Sequence, residues 1–162
     1  MAETLQLHAT GVAINGQAVL LVGPPGSGKS DLALRLIDQP GFGLDGVLKT
    51  ARLISDDQVI LRKTGPTLSA TPPPAIKGLM EVRGLGPMPV PTVDSAPLEL
   101  VVRLVRGGTF ERLPEAETMS QTYLGLVVPL IHLDGFWASA PARIRAALDA
   151  LKGGNFPACK TT

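Results

Sequence analysis

Apolar residues recur along this chain with two different spacings. Residues 4–14 read as extended, with Leu5, Leu7, Val12 and Ile14 as apolar positions, and Asn15-Gly16 separates them from the run Ala18-Val19-Leu20-Leu21-Val22. An Asn-Gly pair between apolar runs signals a two-residue hairpin, because both turn positions accept positive φ. The strand over 18–22 should therefore pair antiparallel with the strand before it. Residues 30–37 then change to helical spacing. A Gly/Pro-rich loop follows at 39–46, then a short strand at 51–55 that ends in Asp56-Asp57, and a further strand at 59–62. Thr64-Gly65-Pro66 turns the chain back, and Pro72-Pro73-Pro74 excludes a central strand because three successive residues lack an N–H. Residues 78–86 read as a glycine-rich loop, and 98–105 and 124–133 as buried strands. A closing helix over 140–152 places Ile144, Ala147, Leu148 and Leu151 on one face, and Gly153-Gly154 stops it. The pattern predicts an α/β domain over 1–153 with a mixed, largely antiparallel sheet, and a disordered tail over 154–162.

Chemistry concentrates where the strand over 18–22 meets the first helix. Gly23-Pro24-Pro25-Gly26-Ser27-Gly28-Lys29-Ser30 matches the phosphate-binding pattern G-x-x-x-x-G-K-[ST] in full, with a strand before it and a helix after it. The glycines let successive N–H groups converge, and the helix adds unpaired N–H groups and the positive end of its dipole. In such a loop Lys29 reaches the β/γ-phosphates and the Ser30 hydroxyl meets Mg²⁺.

Composition narrows the alternatives. A chain of 162 residues makes one domain with a core of its own. A formal charge of +1 argues against nucleic acid or an acidic membrane as a general electrostatic partner. Two histidines and a single cysteine, Cys159, speak against a His/Cys metal cage and an internal disulfide, which suits a cytoplasmic setting. Aromatics at 4% leave little for base stacking, and no apolar run approaches a membrane span.

Asp56-Asp57 is the second chemical signal. At the end of a strand beside a phosphate loop, one carboxylate can support Mg²⁺ while the other accepts a proton from an incoming hydroxyl. Adjacent side chains on extended backbone face opposite ways, so the two should differ in role. The same pair also fits an acidic turn or helix cap. His8, Glu81, Arg83 and Arg112 mean little singly, and His132, between Ile131 and Leu133, reads as structural. No Ser/His/Asp triad is discernible.

Together, His8, the loop that begins fifteen residues later at Gly23, Asp56-Asp57 and the run Glu81-Val82-Arg83-Gly84-Leu85-Gly86 resemble the catalytic domain of bacterial HPr kinase/phosphorylase. Phe110-Glu111-Arg112-Leu113 also resembles a family stretch with a catalytic arginine. The resemblance spans residues 5–145 and implies a core like that of phosphoenolpyruvate carboxykinase. It implies ATP- and Mg²⁺-dependent phosphorylation of a serine on HPr or an HPr-like carrier, reverse phosphorolysis to pyrophosphate, and a homo-oligomer, hexameric in the family. By carry-over, Gly23, Pro24, Pro25, Gly26, Ser27, Gly28, Lys29 and Ser30 bind the nucleotide, and Ser30 with Glu81 contacts Mg²⁺. Asp57 takes the serine proton with Asp56 supporting it or the metal, His8 modulates the pair, and Arg112 stabilises the transferred group. The chain departs from the pattern in three places. It looks like a short proteobacterial form without an N-terminal domain, its connection through 39–50 is long, and no Gly-Arg-Asn segment tied to dephosphorylation is recognisable over 128–136. Two other readings fit the loop: a kinase for a small hydroxyl compound, and a nucleotide-sensing module that transfers nothing.

Overall fold

The computed structural model describes residues 3–108, 110 and 114–156. In chain order these form strands β1 (Glu3–Leu7), β2 (Thr10–Ile14) and β3 (Gln17–Val22), helix α1 (Lys29–Asp38), and strands β4 (Ala51–Ser55), β5 (Val59–Thr64) and β6 (Thr67–Thr71). The strands β7 (Leu79–Val82), β8 (Gly86–Pro89), β9 (Ala96–Leu104), β10 (Ser120–Tyr123) and β11 (Leu126–Leu133) follow, and helix α2 (Ala140–Lys152) closes the order.

Asn15 and Gly16 take φ of 47° and 82°, the left-handed pair that a tight hairpin requires. They join β2 to β3 antiparallel, from Ile14↔Gln17 to Thr10↔Leu21. β4 lines the other edge of β2 antiparallel, while β9 lines β3 in parallel, with Leu20 opposite Val101. Among the described pairings only β3 and β11 run parallel to β9. The sheet is therefore mixed and mainly antiparallel, as its turn chemistry predicted.

Alternation along β2 and β3 builds two cores from one sheet. Val12, Ile14, Val19 and Leu21 face α1 and α2, where Leu32, Ala33, Leu36, Ile144 and Leu148 cover them. Ala13, Ala18 and Leu20 face the other way, toward Val59, Leu61, Leu68 and Ala70 of β5 and β6, which curl over that side. The central strands, apolar on both faces, thus hold the end of β3 rigid where the phosphate loop begins.

Four sequence expectations change. Residues 4–14 are two strands, not one: the chain bends at His8, β1 leaves to pair with β5 and β2 stays between β3 and β4. The glycine-rich run 78–86 is largely a hairpin, β7 with β8, anchored by buried Met80. The strand expected from 124 begins at Leu126, because Leu124 and Gly125 (φ 51° and 79°) turn the chain back from β10. Residues 154–156, expected to open a tail, pack instead: the Asn155 N–H donates to the Ala150 carbonyl and Phe156 is buried in the helix-side core. Residues 157–162 lie outside the described residues.

The long connection 39–50 is fastened by a buried cation. Lys49 Nζ meets Asp45 Oδ1 at 2.6 Å and Asp149 Oδ1 of α2 at 3.0 Å, and donates to the carbonyls of Phe42 (2.8 Å) and Val47 (3.0 Å). Burial opposes the charge on Lys49, but the two carboxylates outweigh it and hold its pKa above the usual lysine value. The hydrogen bond from Lys49, then that from the Val47 N–H, lowers Asp45 from 3.8 to about 2. A carboxylate with a depressed folded-state pKa stabilises the fold above its unfolded value and loses that contribution as pH falls through the folded one. Lys49→Met should therefore lower the Tm between pH 5 and 8, and the gap to wild type should narrow as pH falls from about 4 toward 2. Thermal unfolding across that range checks this; a gap that widens with acid would contradict it.

Candidate active site

β3 delivers the chain into the phosphate loop and α1 leaves it. The Ser27 N–H donates to the Pro24 carbonyl at 3.1 Å, and left-handed Gly26 (φ 82°) and Gly28 (φ 96°) curl the loop into the helix. Gly28 caps α1 without a side-chain hydrogen bond, so the first N–H groups of the helix have no side-chain cap. A Cβ on Gly23 would stand 2.7 Å from Ser27 Oγ and 3.0 Å from the backbone oxygen of Leu104. The β9 backbone cannot yield, so Gly23→Ala should displace the loop, weaken nucleotide binding at least roughly tenfold and lower the Tm as well. Titration with a fluorescent ATP analogue tests this, and unchanged affinity would refute it.

Lys29 is 7% exposed, and its ammonium donates to the carbonyls of Gly23 (2.7 Å) and Pro24 (3.2 Å), lying along the inside of the loop. Ser27 Oγ is buried with no hydrogen-bond partner among the described residues. A buried ammonium and an orphaned hydroxyl within a Gly-rich curl are the donors that a phosphate chain requires.

The two aspartates face different partners, by a turn and not by strand alternation, since both lie beyond the end of β4 at Ser55. Asp56 is half-buried; its Oδ1 accepts from the Ser30 hydroxyl (2.7 Å) and the Thr10 hydroxyl (3.1 Å), and its Oδ2 from the Glu81 N–H (3.3 Å). Asp57 takes φ of 69°, a left-handed conformation that turns its side chain away from these partners toward solvent. There its Oδ1 meets His8 Nε2 at 3.1 Å, on two side chains that are 57% (His8) and 62% (Asp57) exposed. The bend that ends β1 is what places His8 opposite Asp57.

Because Ser30 gives its single proton to Asp56, its lone pairs remain available to a cation. Among the described residues no group of three or more His, Cys, Asp or Glu is arranged to hold a metal. Magnesium needs no such cage: it takes one or two protein oxygens and completes its shell with phosphate oxygens and water. Ser30 backed by Asp56 fits that habit. Glu81 comes to the site through its backbone, and its side chain is exposed. Arg112 lies outside the described residues.

Sequence reasoning passed over two contributors. One is Thr10. The other is the turn after β11, where buried Asp134 accepts N–H bonds from Gly107 and Phe136, both 2.9 Å. Those bonds, the Gly107 one foremost, hold its carboxyl below the ordinary range. The turn presses the Phe136 ring against Gly28, and the Arg106 guanidinium lies 4.7 Å from that ring. Arg35 of α1 fastens the same turn by donating to the Gly135 and Trp137 carbonyls. His132, read as structural, is exposed on β11. Burial, then the charge of Arg103, lowers its pKa. A separate cleft of about 310 Å³, lined by Asn15, Gln17, Lys49 and Asp149 among others, sits at the opposite end of β3 and holds none of these groups.

Residues 1–134 match the family model for the HPr Serine kinase C-terminal domain. The HPr kinase/phosphorylase of Burkholderia lata is 36% identical over 138 residues, which cover 79% of this chain and 39% of that protein. That of Cupriavidus metallidurans is 33% identical over 159 residues, 92% of this chain and 45% of the relative. The matched region thus spans less than half the length of these relatives. A solved structure, the Hpr(Ser) kinase/phosphatase from Coxiella burnetii, shares the fold with a TM-score of 0.71 over 91% of this chain and 96% of that one, at 24% identity.

Proposed function

This chain belongs to the HPr serine kinase C-terminal domain family, and on that premise we propose that it transfers the γ-phosphoryl group of ATP to a serine of HPr or an HPr-like carrier. The observation that carries the reading is that Asp56 bonds the Ser30 hydroxyl while Asp57 faces His8 and solvent, beside a complete phosphate loop. Lys29, the Ser27 hydroxyl and the N–H groups at the start of α1 would bind the β- and γ-phosphates. Ser30, with Asp56 behind it, would hold magnesium, with the exposed Glu81 side chain as a second oxygen ligand, and the ion would supply positive charge to the phosphates.

The serine oxygen attacks the γ-phosphorus, the bond from that phosphorus to the β–γ bridging oxygen breaks, and ADP leaves. The serine proton passes to Asp57. His8 occupies Oδ1 of that carboxylate, which leaves Oδ2 to receive it. In the reverse direction inorganic phosphate attacks the phosphoserine phosphorus, pyrophosphate forms, and Asp57 returns the proton to the departing serine oxygen. The work is positioning and charge stabilisation, as in phosphoryl transfer generally. Arg112 belongs to the same proposal as a stabiliser of the transferred group. So do a cytoplasmic setting and a homo-oligomeric state.

The exposure of Asp57 favours a protein substrate over a small one, because a folded carrier can bring its serine to an open carboxylate and itself exclude water. The deciding experiment incubates the protein with labelled ATP, Mg²⁺ and an HPr-type carrier and looks for acid-stable phosphoserine. ATP binding without transfer would replace this reading with a nucleotide-sensing module.

A further inference from the structure

We infer that Thr10 is a positioning residue of this site, its hydroxyl joining the Asp56 carboxylate to the backbone of Asp57. The inference rests on the phosphotransfer reading for its catalytic meaning but not for its geometry. The β2–β4 ladder runs from Ile14↔Ala51 to Gly11↔Ser55 and stops. Thr10 is the next residue on β2, and Asp56-Asp57 are the next two after β4. Where the backbone ladder ends, the Thr10 side chain continues it: Oγ1 donates to Asp56 Oδ1 at 3.1 Å and accepts the Asp57 N–H at 3.2 Å.

The direction of both bonds is fixed by chemistry. An ionised carboxylate only accepts and an amide N–H only donates, so the one hydroxyl proton goes to Asp56 and a lone pair to Asp57. Thr10 is fully buried, so water has no direct access to replace it. Two consequences follow. Asp56 Oδ1 receives both Thr10 and Ser30, which keeps that oxygen on the Ser30 proton and leaves the serine lone pairs unengaged by it. Asp57, a non-glycine residue at φ 69°, is held in a disfavoured conformation partly by the bond its amide makes to Thr10. One hydroxyl therefore sets the base and the cation-side carboxylate in fixed relation.

Thr10→Val keeps the shape and removes the hydroxyl; Thr10→Ser keeps the hydroxyl and removes the methyl. Thr10→Ala serves as a second hydroxyl-free variant should the valine methyls crowd the site. In a hydroxyl-free chain, amide hydrogen exchange at Asp57 should accelerate by roughly tenfold or more, the scale of a lost hydrogen bond. The Mn²⁺ concentration that half-saturates the nucleotide complex should rise by a similar factor, while nucleotide affinity without metal stays within about twofold. kcat for carrier phosphorylation should fall roughly 10- to 100-fold with little change in KM for ATP, and Thr10→Ser should restore all three within about threefold. Unchanged exchange and cation dependence in the hydroxyl-free variants overturn the inference, as does a serine variant as defective as the valine one. If the wild-type protein phosphorylates no carrier, the functional reading fails on its own, and the exchange and Mn²⁺ measurements still decide the role of Thr10.

Discussion

Asp57→Asn should reduce carrier phosphorylation by roughly 10²- to 10⁴-fold, the range of a removed general base, and leave nucleotide affinity within a few-fold of wild type. The substitution is unusually clean at this position. Asparagine is among the few side chains that adopt left-handed backbone readily, so φ of 69° is kept at little cost. Its amide nitrogen and oxygen have the shape of the carboxylate, and its oxygen can still receive a hydrogen bond from His8 Nε2. What it cannot do is take a proton from an incoming serine. Asp57 also bonds neither Ser30 nor the phosphate loop, so nucleotide and cation should still bind. Transfer of label to acid-stable phosphoserine measures the loss, and titration with a fluorescent ATP analogue measures what remains. Should nucleotide binding disappear with the rate, Asp57 holds the cation and the division of the aspartate pair proposed above is wrong.

The parts of this fold that were legible in the sequence are those specified by neighbours in the chain. Asn15-Gly16 fixed an antiparallel entry into the phosphate loop because both residues tolerate positive φ. The α2 helix was readable to its ends from the spacing of Ile144 and Leu148 and the glycines after Lys152. What stayed hidden depends on distant partners. The bend at His8 exists because β1 finds β5 more than fifty residues away, and nothing in residues 4–14 records that pairing. The 78–86 run hid a hairpin for the same reason: Met80 is a strand residue by virtue of the core it reaches. Thr10 looked like any strand threonine until Asp56, 46 residues on, came within 3.1 Å. Alternation would have split Asp56-Asp57 had the strand continued, but β4 ends at Ser55 and it is the turn at Asp57 that sends the two carboxylates to different partners.

Lys29→Met should weaken nucleotide binding roughly 10- to 100-fold, the scale of lost charged hydrogen bonds, and slow transfer by roughly a further 10²- to 10³-fold, the scale of a missing transition-state donor. Methionine matches the length of the lysine stem and fills the same buried volume, so the helix start remains packed. The ammonium is what disappears. In the structure it bridges the carbonyls of Gly23 and Pro24 at 2.7 and 3.2 Å, drawing the strand end and the loop around a single positive charge. An arriving phosphate competes for that charge as a far stronger acceptor than either carbonyl, and it arrives in a loop already curled to receive it. The two effects separate because negative charge develops on the leaving β–γ bridging oxygen and β-phosphate as the bond to the γ-phosphorus breaks, so the cation contributes more to kcat than to binding. Lys29→Arg should rescue poorly: a planar fork with five donors does not fit a slot shaped for one nitrogen between two carbonyls. Equilibrium titration gives the first loss and single-turnover transfer the second. A methionine variant that binds ATP as tightly as wild type would show that the loop holds phosphate without the Lys29 charge, and would overturn the binding role given to that ammonium.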